Sequence, residues 1–165
     1  MTLTFQFSRP DLETESLINK VISVGIMKDT RSEISHVDLM TDEGTLIGAH
    51  IGDGIQERAH DYMKFGLRIL VKIPVSDEQK TKALVYARSM IGTSYDSLSI
   101  CGIAFGDARL HDTSKLICSS FHTLTVREAN IVRVAKDAWQ VSPEELRLVL
   151  TAMVGAEETR IEGAA

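Results

Sequence analysis

Two apolar runs, residues 34–40 and 45–51, flank the tetrad Thr41-Asp42-Glu43-Gly44. The tetrad is made of turn formers and ends on glycine, so the runs are predicted to fold back as a β-hairpin. Period-two geometry then decides which side chains share a face. His36 opens the first strand of that hairpin, in Ser35-His36-Val37-Asp38-Leu39. Residues 2–7 alternate, with Leu3, Phe5 and Phe7 on one side, and read as a further strand ended by Arg9-Pro10-Asp11. Gly52-Asp53-Gly54 marks a turn before a strand at 55–58, and 67–73 is an apolar strand stopped by Pro74.

Helical spacing of Leu17, Ile18, Val21, Ile22 and Gly25 predicts a helix over residues 13–24. Ser76 followed by Gln79 is a capping box, starting a helix that runs to Ile91 and stops at Gly92. That helix should bury Ala83, Leu84, Ala87 and Met90. Ser142-Pro143-Glu144-Glu145 is a second strong helix start, with Ser as N-cap and Pro in the first turn, and Gly155 ends the helix. Residues 98–105 are apolar and read as a short helix, and 118–130 as a longer one despite β-branched Thr123, Thr125 and Val126.

A length of 165 residues suits one domain, assigned here to residues 1–155, with the small, polar stretch 156–165 expected to be a flexible tail. The formal charge of −5 and the lack of any Lys/Arg block argue against a nucleic-acid binder. Cys101 and Cys118 make neither a disulfide framework nor a zinc signature. No signal peptide and no membrane-spanning run is seen, so a cytoplasmic, reducing setting is expected, with delivery by a phage or secretion apparatus left open.

Cys118 lies in Leu116-Ile117-Cys118-Ser119-Ser120-Phe121, at the predicted start of a helix. A thiol attacks carbonyl carbon as thiolate, a form favoured by a neighbouring histidine and by a helix N-terminus. Read alone, a free cysteine is most often a small core residue, and a strand histidine is often satisfied by a nearby carbonyl. A metal reading would join Cys118 and His122 to Cys101 or His111, but these spacings match no zinc pattern. His60 and His111 read as solvated loop residues, and Cys101 as core.

Four segments in order resemble one family. Ser35-His36-Val37 with its hairpin and Gly54-Ile55-Gln56, then Gly92 to Asp96, then Cys118-Ser119-Ser120-Phe121, and Ser142-Pro143 with its helix are similar to circularly permuted NlpC-type cysteine hydrolases. The nearest group is the YiiX/YebB-like set, relatives of lecithin retinol acyltransferase, and the likeness spans roughly residues 34–150. The resemblance implies an α+β, permuted papain-like fold, a small antiparallel sheet against helices with the nucleophile on a helix N-terminus. It implies Cys118 as nucleophile, His36 as general base and a covalent thioester intermediate, with no cofactor or metal. Tyr95 and Ser119 would lie at the substrate, although a packed tyrosine is the simpler reading of the first. The substrate would be a peptide-like amide, such as a cell-wall stem peptide, or a lipid acyl ester.

One departure stands out. The family's third polar residue, which orients the imidazole, falls on Gly48 here, and a glycine has no side chain to do so. His50, two residues on and on the same strand face, is the candidate substitute, against the alternative of a surface hairpin residue; Glu57 is more remote. A catalytically decayed binding or assembly module on the same scaffold is therefore the rival expectation.

Overall fold

The computed structural model describes residues 1–50, 52–94 and 118–163. The expected helix at 98–105, with Tyr95, Cys101 and His111, lies outside the described residues. The architecture is α+β. Six strands form one sheet: β1 (Thr2–Pro10), β2 (His36–Met40), β3 (Leu46–His50), β4 (Gly54–Arg58), β5 (Phe65–Pro74) and β6 (Glu157–Glu162). Their order is β4-β3-β2-β1-β5-β6, and every neighbouring pair is antiparallel. Among the described residues there are four α-helices: α1 (Leu17–Thr30), α2 (Asp77–Ser89), α3 (Cys118–Glu128) and α4 (Pro143–Thr151).

The alternation of β1 organises the core. Leu3, Phe5 and Phe7 are buried on one pleat, and register places Phe5 beside Leu39 and Val71, and Phe7 beside Val37 and Ile69. Ala83 and Ala87 of α2, Phe121 and Val126 of α3, and Leu146 and Leu150 of α4 join this cluster. Each large side chain so buried stabilises the fold by about 1.5–3 kcal/mol relative to exposure. The other pleat is different in kind. Gln6 and Ser8 stand on it, paired in register with Asp38 and His36, and Gln6, Ser8 and Asp38 are buried. The sheet is thus apolar on one face and polar around the start of β2 on the other.

Local chemistry accounts for the element ends. Both capping boxes form: Ser76 with Gln79 and Ser142 with Glu145 exchange side-chain and backbone hydrogen bonds. The β2–β3 turn closes through Thr41 N–H to the Thr45 carbonyl at 2.9 Å and Gly44 N–H to the Thr41 carbonyl at 3.1 Å. At Gly54, φ is +75° and a Cβ would meet the Thr93 carbonyl oxygen at 2.2 Å. Only glycine lets residues 92–94 seat against β4, where Ile55 N–H bonds that carbonyl at 2.9 Å.

Two expectations are corrected. The first helix starts at Leu17 and runs to Thr30, not over residues 13–24. Asp11 accepts the Glu13 N–H at 3.1 Å and holds residues 11–14 in a turn, so Ser16 becomes the N-cap. Gly25 does not stop the helix; Arg31 does, in the left-handed region at φ 50°. The expected tail is instead β6, paired with β5 from Glu157 opposite Lys72 to Glu162 opposite Leu67. It is polar because it is an edge strand, and charge on an edge discourages pairing with other chains. Arg147 of α4 ties it down, bonding Glu158 at 2.5 Å and Glu144 at 2.7 Å.

No helix among the described residues is long and apolar enough to cross a membrane. Since Phe5 is fully buried at the centre of the apolar pleat, Phe5→Ala should cost about 3–5 kcal/mol of stability. Urea denaturation would measure it, and a loss under about 1 kcal/mol would mean the site collapses around the deletion.

Candidate functional site

The hairpin assembles the polar centre. Leu39 pairs with Ile47 and Met40 with Leu46. Continuing that register sets Asp38 across from Gly48 and His36 across from His50. The contacts agree: the His36 and His50 rings lie 5.0 Å apart between centroids. His36 and Asp38, two residues apart on one strand, point to the same face, and the His36 Nε2 meets Asp38 Oδ1 at 2.9 Å. Tyr62 donates its hydroxyl to Asp38 Oδ2 at 3.3 Å, and His50 Nε2 lies 3.7 Å from Oδ1. The Asp38 side chain is fully buried.

Asp38 was not singled out by sequence, and it resolves the difficulty at Gly48. A Cβ built on residue 48 would sit 1.8 Å from Asp38 Oδ1. The glycine is the space that the carboxylate fills. The carboxylate beside the His36 ring therefore comes from the histidine's own strand rather than from the facing one. The signal was present as a charged residue breaking the apolar run His36-Val37-Asp38-Leu39-Met40, on the same face as the histidine. Tyr62, in the loop after β4, was likewise missed, and no local pattern marks it. Glu57 takes no part: its carboxylate is bonded to Thr45 and Arg88.

Cys118 is the first described residue of α3 and is buried. Its charge and its side-chain hydrogen bond both act on His36. With Nε2 committed to Asp38, Nδ1 is the ring nitrogen left for the sulfur. Burial alone would lower the His36 pKa, but the charges of Asp38 and then Cys118, with their hydrogen bonds, push it up to about 10. For Asp38, burial works to raise the pKa, and the charge and hydrogen bond of His36 overcome it, so the carboxyl is held low. His50 goes the other way, to about 3, through burial and then the neighbouring charge of His36.

Ser119 is fully buried and its hydroxyl makes no hydrogen bond. Tyr95 lies outside the described residues. His60 is exposed, as read from the sequence. His122, one turn after Cys118, is fully buried against Phe5 and Phe121, at ring distances of 5.7 and 4.5 Å. Neither of its nitrogens completes a well-aligned hydrogen bond. Burial drives its pKa down to about 3, outweighing Asp38 and the Val37 backbone, which favour the charged form, while His36 and His50 oppose it.

A cleft of about 310 Å³ opens onto His36 and His50. Ile22 and Ile26 of α1, with Arg58 and Tyr62, are among the residues that line it, and Cys118 is not. His36, Asp38 and His50 also bring one potential metal-ligating atom each within 4.8 Å of one another. No protein-family model matches the chain, and no curated protein matches it in sequence.

Two predictions follow from this geometry. Asp38→Gly and Gly48→Asp should each destabilise the protein, the first by stripping His36 of its partner, the second by crowding two carboxylates. The double variant moves the carboxylate to the facing strand, so a double-mutant cycle in urea should recover at least ~1 kcal/mol; strict additivity would show the two positions uncoupled. For His122, the folded pKa near 3 lies below the unfolded value near ~6.5, so the unfolded chain binds the extra proton in between. Stability therefore falls as pH drops through that window. His122→Leu should flatten this acid limb in denaturation at about pH 7, 5.5 and 4.5, and an unaltered limb would mean that His122 does not titrate this way.

Proposed function

We propose that this protein is a cysteine hydrolase or acyltransferase with a permuted, NlpC-type papain-like arrangement, in which Cys118 is the nucleophile, His36 the general base and Asp38 the orienting residue. The observation that carries the reading is the 2.9 Å bond of His36 Nε2 to the buried Asp38, with Cys118 near enough to act electrostatically on the same imidazole. Such a chain has the form that activated nucleophiles require: a nucleophile, a base in reach, and a third group fixing the base's tautomer.

His36 takes the thiol proton on Nδ1 while its Nε2–H stays with Asp38. The Cys118 sulfur forms a bond to the substrate carbonyl carbon, and the electron pair of that carbonyl moves to its oxygen. Backbone N–H groups at the start of α3, that of Cys118 included, face the developing oxyanion. When the tetrahedral adduct collapses, the C–N or C–O bond breaks and the leaving group receives the proton from His36. Water, or a second acceptor, then loses a proton to His36 and displaces the thiolate from the thioester. The substrate class is a peptide-like amide, for which cell-wall stem peptides are one source, or an acyl ester. Ile22 and Ile26, which line the cleft with His36, suit the acyl part of either.

One observation favours a rival. The Cys118 side chain is 3% exposed, which fits a binding or assembly module on the same scaffold as well as an enzyme whose thiol is shielded until substrate enters. Hydrolysis of p-nitrophenyl acyl esters and peptide p-nitroanilides, with iodoacetamide labelling of Cys118, separates the two. The hydrolase should turn over at least one of these probes and label at Cys118. Cys118→Ala should abolish turnover with the fold intact by circular dichroism. His36→Ala should lower it by about 10²–10⁴-fold, and His50→Ala by less. Undiminished turnover in Cys118→Ala, or an inert thiol with no turnover of either probe class, would favour the module.

A further inference from the structure

We propose that His36, Asp38 and His50 form a zinc site that holds the protein in an inhibited state. One ligand atom from each residue lies within 4.8 Å of the other two, and both His36 Nε2 and His50 Nε2 approach Asp38 Oδ1. Two of the separations are 2.9 and 3.7 Å. Zinc bonds of about 2.0–2.2 Å in a tetrahedral set place ligand atoms about 3.3–3.6 Å apart, between those two values. Small side-chain movements therefore admit the ion.

The second observation is independent of this convergence. His50 Nε2 is buried, directed at the Asp38 carboxylate, and makes no hydrogen bond. A buried polar atom without a partner is costly unless something binds it, and a neutral imidazole nitrogen carries the lone pair that zinc requires. The donor set of two imidazoles and one carboxylate belongs to the class that zinc takes in sites with three protein ligands and one open position. Both histidines line the cleft, so solvent supplies the fourth ligand and the route of entry. Cys118 is not part of this set, whose converging atoms come from His36, Asp38 and His50.

Binding replaces the proton on His36 Nε2, which leaves to solvent, and Asp38 exchanges that hydrogen bond for a zinc–oxygen bond. The ring's remaining proton stays on Nδ1. Zinc-bound imidazole does not release it to a leaving group, so acid–base transfer at Cys118 stops. The inhibitory consequence rests on the hydrolase reading above; zinc binding does not.

The test is equilibrium dialysis of the full chain against Zn²⁺ with metal analysis, joined to the visible spectrum of the Co²⁺-substituted protein. One zinc per chain is expected in the wild type and equally in Cys118→Ala, and the cobalt spectrum should contain no thiolate charge-transfer band. His50→Ala and the volume-conserving His50→Gln should each weaken binding by more than ~10-fold, the loss that removing even an outer-shell partner can bring. Their residual ester hydrolysis should resist zinc concentrations that silence the wild type. Absence of stoichiometric zinc, undiminished binding in both His50 variants, or loss of binding in Cys118→Ala would overturn the site. Zinc bound with this ligand dependence by a protein that hydrolyses nothing would keep the site and remove the inhibition. Hydrolysis indifferent to bound zinc would refute the inhibition and leave the catalytic reading standing.

Discussion

Burial of the Asp38 carboxylate is the constraint on which the polar half of this structure depends. An ionised carboxylate removed from water costs several kcal/mol unless it is paired and hydrogen-bonded. Here it is fully enclosed, and its two oxygens are met by the His36 imidazole and the Tyr62 hydroxyl. Those partners fix the ring plane of His36 and which nitrogen faces outward. They also dictate the residue across the hairpin, because any side chain at position 48 would occupy the volume of the carboxylate. A single buried charge thus selects a glycine, a tautomer and a rotamer.

The sheet supports this by keeping its two faces chemically separate. Leu3, Phe5 and Phe7 and their neighbours supply the hydrophobic stabilisation on one pleat, and that surplus carries the polar residues on the other. The helix α3 belongs to the apolar side through Phe121 and Val126, while its first described residue reaches His36. Packing of the helix body therefore sets the position of Cys118, and the cluster needs no flexible loop among the described residues to hold it.

Much of this was legible in the sequence. The hairpin, both capping boxes and a helix containing Cys118 to Glu128 follow from period and turn chemistry. What escaped was set by tertiary context. Asp38 reads as an exposed strand residue until the facing glycine is known to be the space it fills, and that is a cross-strand fact. β6 reads as tail because its Glu157-Glu158-Thr159-Arg160 run has the composition of disorder; its order comes from the open edge of β5 and from Arg147. The α1 boundaries moved because Asp11 competes locally for the backbone ahead of Ser16.

The electrostatics of the cluster also decide which histidine can do chemistry. Three imidazoles, His36, His50 and His122, surround one carboxylate. One negative charge in a low-dielectric site sustains one adjacent positive charge, and a second would repel the first more than the carboxylate attracts it. His36 has the 2.9 Å contact, with the charge of Cys118 acting in the same direction, so it is the one that holds a proton, up to about 10. His50, at 3.7 Å, and His122, among aromatic rings, are left neutral, near 3. Environments that push like groups apart in this way assign their roles. The ring bonded to Asp38 is the one that favours the charged form, the ring beside it is kept neutral, and the ring on α3 packs among aromatic side chains with its charged form disfavoured by burial.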